Sequence, residues 1–289
     1  MLLSQFRNAP VNWKDIRVFF IGGYWMGDND LVKVYLRSLQ DLCPNVYEFS
    51  TEYHREALDC KGRQYDYGAH GPIYIRRSYV DAALRDVSPH VILCCAGGLS
   101  FSPADAVHLR KQFCLAGMAL SDPDVFEPST QYIAQNFDTY FTNSLRATAW
   151  YRELGVNVTW LPFACYPSYH KRLPADPRFK CDVLFIGQAR PDRVALVKRV
   201  SSAFHTRVFG TSWHSFHVPN EGILPAGDVV AAVNSATVCI DFARNLAGDH
   251  MVKYRMFEFA GCGAVGCTER FPELGLHFAF GDEILGYDT

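Results

Sequence analysis

The sequence has no apolar segment long enough to cross a bilayer. No apolar stretch approaches the roughly 18 residues of a membrane-spanning helix. Residues 1–8 have neither the charged start nor the long apolar middle of a signal peptide. We therefore expect a cytoplasmic protein without a transmembrane segment.

Neither sign of charge is in excess. The chain has 28 Lys and Arg against 30 Asp and Glu, a formal net charge of −2, and its basic residues are scattered. Binding to a phosphate backbone without sequence preference requires an extended basic face. The composition therefore excludes generic nucleic acid binding, and it gives no indication of the oligomeric state.

Motifs for metals and dinucleotides are also missing. The ten cysteines and ten histidines include no Cys-x-x-Cys pair and no zinc-ligand spacing. Gly22 and Gly23 follow the first apolar run but do not continue into a Gly-x-Gly-x-x-Gly fingerprint. We expect no metal and no cofactor. Cysteines within apolar runs, such as Cys94 and Cys239, are expected to be reduced core residues.

Short apolar runs alternate with amphipathic segments along most of the chain. This alternation is typical of parallel strands joined by helices. Strands are predicted at 17–23, 46–50, 90–98, 115–121, 139–144, 158–164, 181–187, 206–210, 237–242 and 264–268. Helices are predicted at 28–42, 78–87, 102–113, 145–154, 192–204, 227–234 and 251–261.

A proline-rich stretch divides this alternation into two halves. With 289 residues, 49% of them hydrophobic, the chain exceeds what one core usually holds. We predict an α/β protein of two Rossmann-like domains, residues 1–164 and 181–289, joined by a linker at 165–180 and separated by a cleft. Ligands of such parallel sheets bind beyond the carboxyl ends of the strands.

Two loops of the first half follow predicted strands. Gly22 and Gly23 allow a ligand to approach the backbone closely, or they simply form a tight turn. Asp122 ends another strand, in Asp122-Pro-Asp124, where a carboxylate can orient or deprotonate a hydroxyl. Because Asp-Pro-Asp is also ordinary turn chemistry, both interpretations of Asp122 stay open.

One strand-to-helix loop of the second half has the features of a phosphate site. Gly187 is followed by Arg190 and Arg193 at a helix start, where free amide groups and the helix dipole favour an anion. Arginine binds phosphate oxygens bidentately. One of the two arginines can instead pair with a neighbouring aspartate, Asp192 or Asp182.

Aromatic residues in two loops are candidates for lining a ligand pocket. Trp213 and Phe216 follow Gly210, which ends the next predicted strand, and we consider them for stacking on a nucleotide base. Tyr24 and Trp25 follow the first strand. Most aromatic residues in such a chain belong to the core, so packing is the alternative.

The predicted helix 251–261 carries a cation and a carboxylate on one face. Arg255 and Glu258 are three residues apart, whereas Tyr254 and Phe257 are expected to face the sheet. A carboxylate accepts two hydrogen bonds at once, as two vicinal ribose hydroxyls require, and Lys253 adds a further cation. The alternative is a surface ion pair of Arg255 and Glu258 that contributes little.

Several motifs together resemble one family. They are Phe137-Asp-Thr-Tyr-Phe-Thr-Asn-Ser144, the helix end Tyr151-Arg-Glu-Leu-Gly155, Leu161-Pro-Phe-Ala164, Asp182-Val-Leu-Phe-Ile-Gly187 with Arg193, and Arg255-Met-Phe-Glu258 through Cys262-Gly263. From Phe137 onwards the chain resembles the CgeB-like glycosyltransferases, which are GT-B proteins related to retaining transferases with a Glu-x7-Glu motif. The resemblance implies a GT-B fold with an acceptor domain followed by a donor-nucleotide domain. It also implies metal-independent transfer of a hexosyl or related sugar from a nucleoside-diphosphate sugar.

The resemblance assigns roles to individual residues. Glu258 matches the second glutamate of the motif, which holds the donor ribose, while Arg193 and Arg190 match the basic loop at the diphosphate. His250 stands where the first glutamate is expected, so it is a candidate for contacting the donor sugar or a phosphate; a solvated histidine at a helix start fits equally well. The predicted donor-binding residues are Gly187, Arg190, Arg193, Gly210, Lys253, Arg255 and Glu258.

The predicted function is glycosyl transfer to an acceptor that the sequence does not identify. If configuration is retained, the departing phosphate can take the acceptor proton; if it is inverted, Asp122 is the predicted base. Relatives usually continue into further helices, so the resemblance implies a shortened member or a fragment. This shortening and the missing first glutamate favour the alternative of a non-catalytic nucleotide or nucleotide-sugar binding protein.

Overall fold

Apolar runs form the strands of two parallel sheets, one in each of two structural units. The computed structural model describes residues 12–23, 31–60, 70–245 and 247–288. The chain divides into Met1–Pro162 and Phe163–Thr289. Within the described ranges, no helix is both long and apolar enough to cross a membrane.

The first unit is built on a six-stranded parallel sheet. Its strand order is β2-β1-β5-β7-β8-β9, and a small sheet of order β3-β4-β6 lies beside it in the same unit. The central strands read as continuous apolar runs because helices cover both faces of a parallel sheet. The strands are β1 (Arg17–Gly22), β2 (Asn45–Ser50), β3 (Leu58–Asp59), β4 (Ile73–Ile75), β5 (Val91–Cys95), β6 (Leu99–Phe101), β7 (Cys114–Ala119), β8 (Thr139–Thr142) and β9 (Val158–Trp160).

Two helices of the first unit begin at serine N-caps. Ser102 and Ser144 accept hydrogen bonds from the backbone N–H groups of Asp105 and Ala147, at 3.2 and 3.1 Å, as N-caps do. An irregular helical segment follows β7, with a π-helix at Phe126–Thr130, an α-turn at Gln131–Ile133 and a 3₁₀ turn at Ala134–Asn136. The regular helices are α1 (Leu31–Leu42), α2 (Asp81–Val87), α3 (Pro103–Leu109) and α4 (Leu145–Glu153).

The second unit is built on a five-stranded parallel sheet of order β11-β10-β12-β13-β14. Its core packs around Phe185, Val197 and Trp213, all fully buried. The elements are β10 (Cys181–Ile186), α5 (Pro191–Ser201), β11 (Thr206–Phe209), α6 (Val229–Ser235), β12 (Ala236–Ile240), α7 (Tyr254–Gly261), β13 (Gly266–Glu269) and β14 (Leu285–Tyr287).

The segment predicted as a linker, residues 165–180, belongs to the second unit. The backbone N–H groups of Leu173 and Asp176 donate to the side chains of Asn234 and Ser235 at the end of α6, at 2.9 and 2.7 Å. The division falls after Pro162 instead. The prolines that suggested a linker restrict the backbone, but they leave its other N–H groups free to bind the neighbouring helix.

Candidate functional site

The second sheet has a topological switch point between β10 and β12. From β10 the chain crosses to β11 on one side and then to β12 on the other. Because such crossovers are right-handed, α5 and α6 cover opposite faces of the sheet. This leaves a crevice outside the carboxyl ends of β10 and β12, where ligands of such sheets bind. Gly187 and Asp241 are the first residues after these two strands.

Arg193, in the first turn of α5, is a half-buried cation with an unsatisfied donor. Its Nη1 donates to Gln188 O at 2.9 Å, and the guanidinium lies 5.9 Å from the centre of the Phe242 ring. Nε is buried without a hydrogen-bond partner among the residues that the structure describes. Burial lowers the pKa of Arg193, and the charge of Arg190 lowers it further. A bound anion would favour the charged form against both effects.

Asp241 is a buried carboxylate close to three cations. Burial raises its pKa, and the backbone N–H of Phe242 and the charges of Arg255, Lys253 and Arg193 oppose this rise. Its Oδ2 has no hydrogen-bond partner in the described chain. Positive charges from the starts of α5 and α7 therefore act together at the end of β12. We call Arg193, Lys253 and Arg255 the cationic cluster.

Glu258 of α7 is buried, with its carboxylate between a cation and a histidine. The side chain is 2% exposed. Its Oε2 lies 2.8 Å from Arg255 Nη1, and its Oε1 lies 3.5 Å from His170 Nε2. No described group makes a hydrogen bond to Oε1. Arg255 and Glu258 therefore form an ion pair inside the unit, not on its surface, and one acceptor oxygen remains without a hydrogen bond.

The face of α7 that meets the sheet differs from the predicted one. Met256 and Phe259 pack onto β13, where a Cβ added to Gly266 would lie 2.7 Å from Met256 Cε. Tyr254 and Phe257 were predicted there, but they pack against aromatic rings of other segments in the unit. The two faces are distinguished by packing with distant segments, which helical spacing alone does not specify.

Arg190 forms the local ion pair that the sequence left open as an alternative. Its Nη2 lies 2.5 Å from Asp192 Oδ2 and donates to Asn245 O at 3.1 Å. The guanidinium thus ties the start of α5 to the loop after β12. Contact of Arg190 with a phosphate stays a prediction.

The absence of a side chain at Gly210 allows its backbone to approach the carbonyl of Gly187 closely. Gly210 has φ of +138°, and a Cβ there would lie 2.0 Å from Gly187 O. The same carbonyl accepts a hydrogen bond from Trp213 Nε1 at 2.8 Å. Trp213 is fully buried, with its ring edge-on to Phe185. It is a core residue, so the prediction that it stacks on a nucleotide base is wrong.

His250 precedes α7 instead of starting it. The helix begins at Tyr254, and His250 forms an isolated antiparallel bridge with Arg244. Its ring stacks on Phe271 at 5.1 Å, and Nε2 lies 3.9 Å from Glu269 Oε1. The same carboxylate accepts a hydrogen bond from Arg244 Nε at 2.7 Å. These contacts hold His250 within the loop between β12 and α7. Its contact with a donor sugar stays a prediction.

Gly22 and Gly23, at the carboxyl end of β1, lie at the switch point of the first sheet, between β1 and β5. Gly22 ends β1, and its carbonyl accepts hydrogen bonds from Thr51 N and Oγ1 at 2.9 and 3.2 Å. Gly23 follows it. Tyr24 and Trp25 lie outside the described residues. A ligand role for this loop stays a prediction.

Asp122 is completely buried in the first unit. Its Oδ2 accepts hydrogen bonds from Thr142 Oγ1 at 2.6 Å and from Tyr151 OH at 2.9 Å, while Oδ1 accepts one from Thr130 Oγ1 at 3.3 Å. Burial raises its pKa to about 6, although these three hydroxyls lower it. The arrangement is that of a structural network, so the predicted role as a base receives no support from this geometry.

Sequence reasoning did not find two residues of the site, Asp241 and His170. Asp241 was assigned to the interior of a strand predicted to end at Phe242, whereas β12 ends at Ile240. A polar residue at the carboxyl end of a parallel strand was the signal available for Asp241. His170 gave no such signal, because its partner Glu258 is distant in sequence.

The fold is that of the GT-B glycosyltransferases, as predicted. Anabaena HepE in complex with UDP-glucose is similar with a TM-score of 0.57, 9% identity, and coverage of 94% of this chain and 85% of that chain. Sucrose-phosphate synthase from Thermosynechococcus elongatus gives a TM-score of 0.53, 13% identity, and coverage of 90% and 83%. Trehalose 6-phosphate synthase from Burkholderia multivorans gives 0.52, 10%, and coverage of 89% and 84%.

The sequence of the second unit matches a family model. Residues 190–289 match the family described as glycosyl transferase-like. The matched stretch contains Arg193, the rest of the cationic cluster, and Glu258, and this agrees with the predicted glycosyltransferase. The comparison with curated proteins found no match.

Metal-ligating side chains are not clustered in the described ranges. No group of three or more His, Cys, Asp and Glu side chains there is arranged to hold a metal ion. All ten cysteines are reduced and form no disulfide.

Proposed function

We propose that the protein is a glycosyltransferase that moves a sugar from a nucleoside-diphosphate sugar to an acceptor still to be identified. One arrangement carries the proposal: the cationic cluster lies at the switch point of the second sheet, and its member Arg255 is 2.8 Å from the buried carboxylate of Glu258, whose Oε1 has no hydrogen bond in the described chain. The cationic cluster suits a diphosphate, and the carboxylate of Glu258 suits a ribose.

The cations supply the main chemical effect. Negative charge grows on the diphosphate as the bond from the sugar C1 to oxygen breaks, and fixed positive groups stabilise that charge. Arg193 adds bidentate geometry at the start of α5, where the helix dipole also favours an anion. Lys253 and Arg255 supply further charge from the start of α7.

Glu258 is proposed to bind the donor ribose. A carboxylate accepts hydrogen bonds from two vicinal hydroxyls, and Oε1 accepts no hydrogen bond in the described chain. Arg255 pairs with the carboxylate from the other side, with Nη1 at 2.8 Å from Oε2.

The retaining course needs no side-chain base, because an oxygen of the departing phosphate can take the acceptor proton. We favour this course because Asp122 is buried and already accepts three hydroxyl hydrogen bonds. Asp122 as the base of an inverting reaction, and His250 at the donor sugar, remain the alternatives that substitution would test.

We further propose a CgeB-like enzyme that transfers a hexosyl group without a metal or cofactor. The motif from Arg255 to Gly263 supports the CgeB-like assignment, and the cationic cluster offers protein charges for a role that a metal fills in other transferases. Ten cysteines without a disulfide suit a reducing compartment such as the cytosol. A transfer rate unchanged by EDTA would support metal independence.

Ligand binding by the intact protein tests the proposal. Because HepE is seen with UDP-glucose, UDP and UDP-glucose should be titrated calorimetrically beside GDP and GDP-sugars. We expect Arg193→Gln to weaken binding of the diphosphate about tenfold or more, since a charge-assisted hydrogen bond is lost. Arg199→Gln is the matched control, because Arg199 is exposed on the same helix.

Three outcomes are informative. Equal binding by Arg193→Gln and Arg199→Gln would refute the diphosphate site. Binding together with hydrolysis or transfer of the sugar would support the enzyme. Binding without consumption of any sugar nucleotide, across a panel of acceptors, would favour a non-catalytic nucleotide-sugar binding protein.

A further inference from the structure

His170 is buried in the second unit, and the turn that carries it fixes its ring. His170 N donates to Tyr166 O at 2.7 Å, and Tyr166 N donates back to His170 Nδ1 at 3.0 Å. The residue is 2% exposed, with the ring of Tyr169 standing edge-on to it at 4.9 Å. The orientation of the imidazole is therefore set within residues 166–170, outside the stretch that matches the family model.

These bonds determine which ring nitrogen is the donor. Because Nδ1 accepts a hydrogen bond, the proton of the neutral imidazole is on Nε2. Nε2 makes a hydrogen bond of 3.4 Å with the hydroxyl of Tyr254, and it also lies 3.5 Å from Glu258 Oε1. Oε1 is the carboxylate oxygen without a hydrogen bond in the described chain. The Nε2–H of His170 thus faces two acceptors, the Tyr254 hydroxyl and the carboxylate oxygen of Glu258 that has no hydrogen bond.

We propose that His170 is a positioning residue that holds the carboxylate of Glu258 in the orientation required for the donor ribose. The inference rests on the proposed function of Glu258. With Arg255 at Oε2 and His170 at Oε1, the carboxylate is held on both sides, and its remaining lone pairs keep a fixed direction. The 3.5 Å separation is longer than a hydrogen bond, and such contacts in ligand-free sites often tighten when the ligand binds.

Packing is the competing explanation for a buried histidine. The ring also fills space beneath α7, where a Cβ added to Gly261 would lie 2.9 Å from His170 Cβ. Phenylalanine fills similar space without a donor, while glutamine brings an amide N–H close to the position of Nε2. Comparing His170→Phe with His170→Gln therefore distinguishes the effect of losing the hydrogen-bond donor from the effect of changing the side-chain volume.

The test measures the contribution of the ribose hydroxyls to binding. UDP and GDP, each beside its 2′,3′-dideoxy form, are titrated calorimetrically into the intact protein and into His170→Phe, His170→Gln, Glu258→Gln and the double variant His170→Phe with Glu258→Gln. We expect His170→Phe to weaken binding of the parent nucleotide about tenfold and to leave binding of the dideoxy form almost unchanged. We expect His170→Gln to recover most of the loss, and the double variant to bind no more weakly than Glu258→Gln alone.

The outcomes distinguish this inference from the proposed function. Equal weakening of both nucleotide forms by His170→Phe, or additive losses in the double variant, would overturn the positioning role and leave the function of Glu258 intact. If Glu258→Gln keeps the full preference for the parent nucleotide, the ribose assignment itself fails. If His170→Phe does not fold, His170→Gln decides: weakening of both forms equally would overturn the inference, and a selective, partial loss would support it.

Discussion

Asp241 puts a negative charge beside the cationic cluster, where we propose that a diphosphate binds. The carboxylate repels the ligand and competes for the same cations. We expect Asp241→Asn to bind the nucleoside diphosphate at least about threefold more tightly than the unaltered protein at pH 8. Calorimetric titration with UDP or GDP measures this ratio.

The pH dependence of that ratio gives a second check on Asp241. Burial raises the pKa of Asp241, so its carboxyl becomes neutral at a higher pH than an exposed aspartate. As the pH falls through this raised pKa, the neutral acid comes to resemble asparagine, and the advantage of Asp241→Asn should disappear. Protonation of the nucleotide itself affects its binding to both proteins equally, so this effect cancels in the ratio of the two affinities.

Asp182→Asn is the control for Asp241→Asn. Asp182 is exposed near the amino end of β10, and its Oδ2 accepts a hydrogen bond from His205 N at 3.0 Å, which asparagine can keep. This variant changes the net charge equally and should leave affinity unchanged. Weaker binding by Asp241→Asn would mean instead that the carboxylate organises the cations.

The close contact between the ends of β10 and β11 makes Gly210 the most constrained glycine of the site. We expect Gly210→Ala to destabilise the protein by about 3 kcal/mol or more, because the methyl group meets the backbone carbonyl of Gly187 at a φ that L-residues rarely adopt. Urea denaturation followed by circular dichroism measures the loss.

Gly227→Ala provides the comparison for Gly210→Ala. Gly227 has no neighbouring atom within 4 Å of an added Cβ. Its substitution should change the free energy of unfolding by less than about 0.5 kcal/mol. Similar effects of the two substitutions would show that the contact between Gly210 and Gly187 is relaxed in solution.

The large sheets could be predicted from sequence because parallel strands buried on both faces read as continuous apolar runs. The ends of β1, β7 and β10 lie within two residues of the predicted ones. The small sheet β3-β4-β6 was not predicted, because strands of two or three residues show no periodicity. The predicted strand 90–98 ends at Cys95, since Gly98 turns the chain with φ of +81° into β6.

The candidate site was only partly predictable. Arg193, Arg255 and Glu258 were found because helix starts and helical spacing can be read from sequence. The burial of Trp213 and the contact between His170 and Glu258 could not be predicted from the sequence, because both depend on packing between segments far apart in the chain. Local patterns locate elements, whereas tertiary contacts decide which side chains face one another.

Each of the two units has its own parallel sheet and its own buried core. The cationic cluster, Asp241, Glu258 and His170 all lie in Phe163–Thr289. The residues that we propose to bind the nucleotide therefore belong to one unit.

We expect residues 163–289, produced alone, to fold and to bind the nucleoside diphosphate within about tenfold of the affinity of the whole chain. The physical reason is that the sheet, the switch point and the proposed ligands of diphosphate and ribose are all contained in this segment. Far-ultraviolet circular dichroism with thermal melting checks folding, and calorimetry with UDP or GDP checks binding.

Arg193→Gln within the isolated segment should abolish most of that binding, and residues 1–162 alone should bind no nucleotide. A segment that melts cooperatively but does not bind the nucleotide bound by the whole chain would place essential determinants outside residues 163–289. The assignment of the donor to the second unit would then be wrong, because a folded switch point with its cations in place would have proved insufficient to hold a diphosphate.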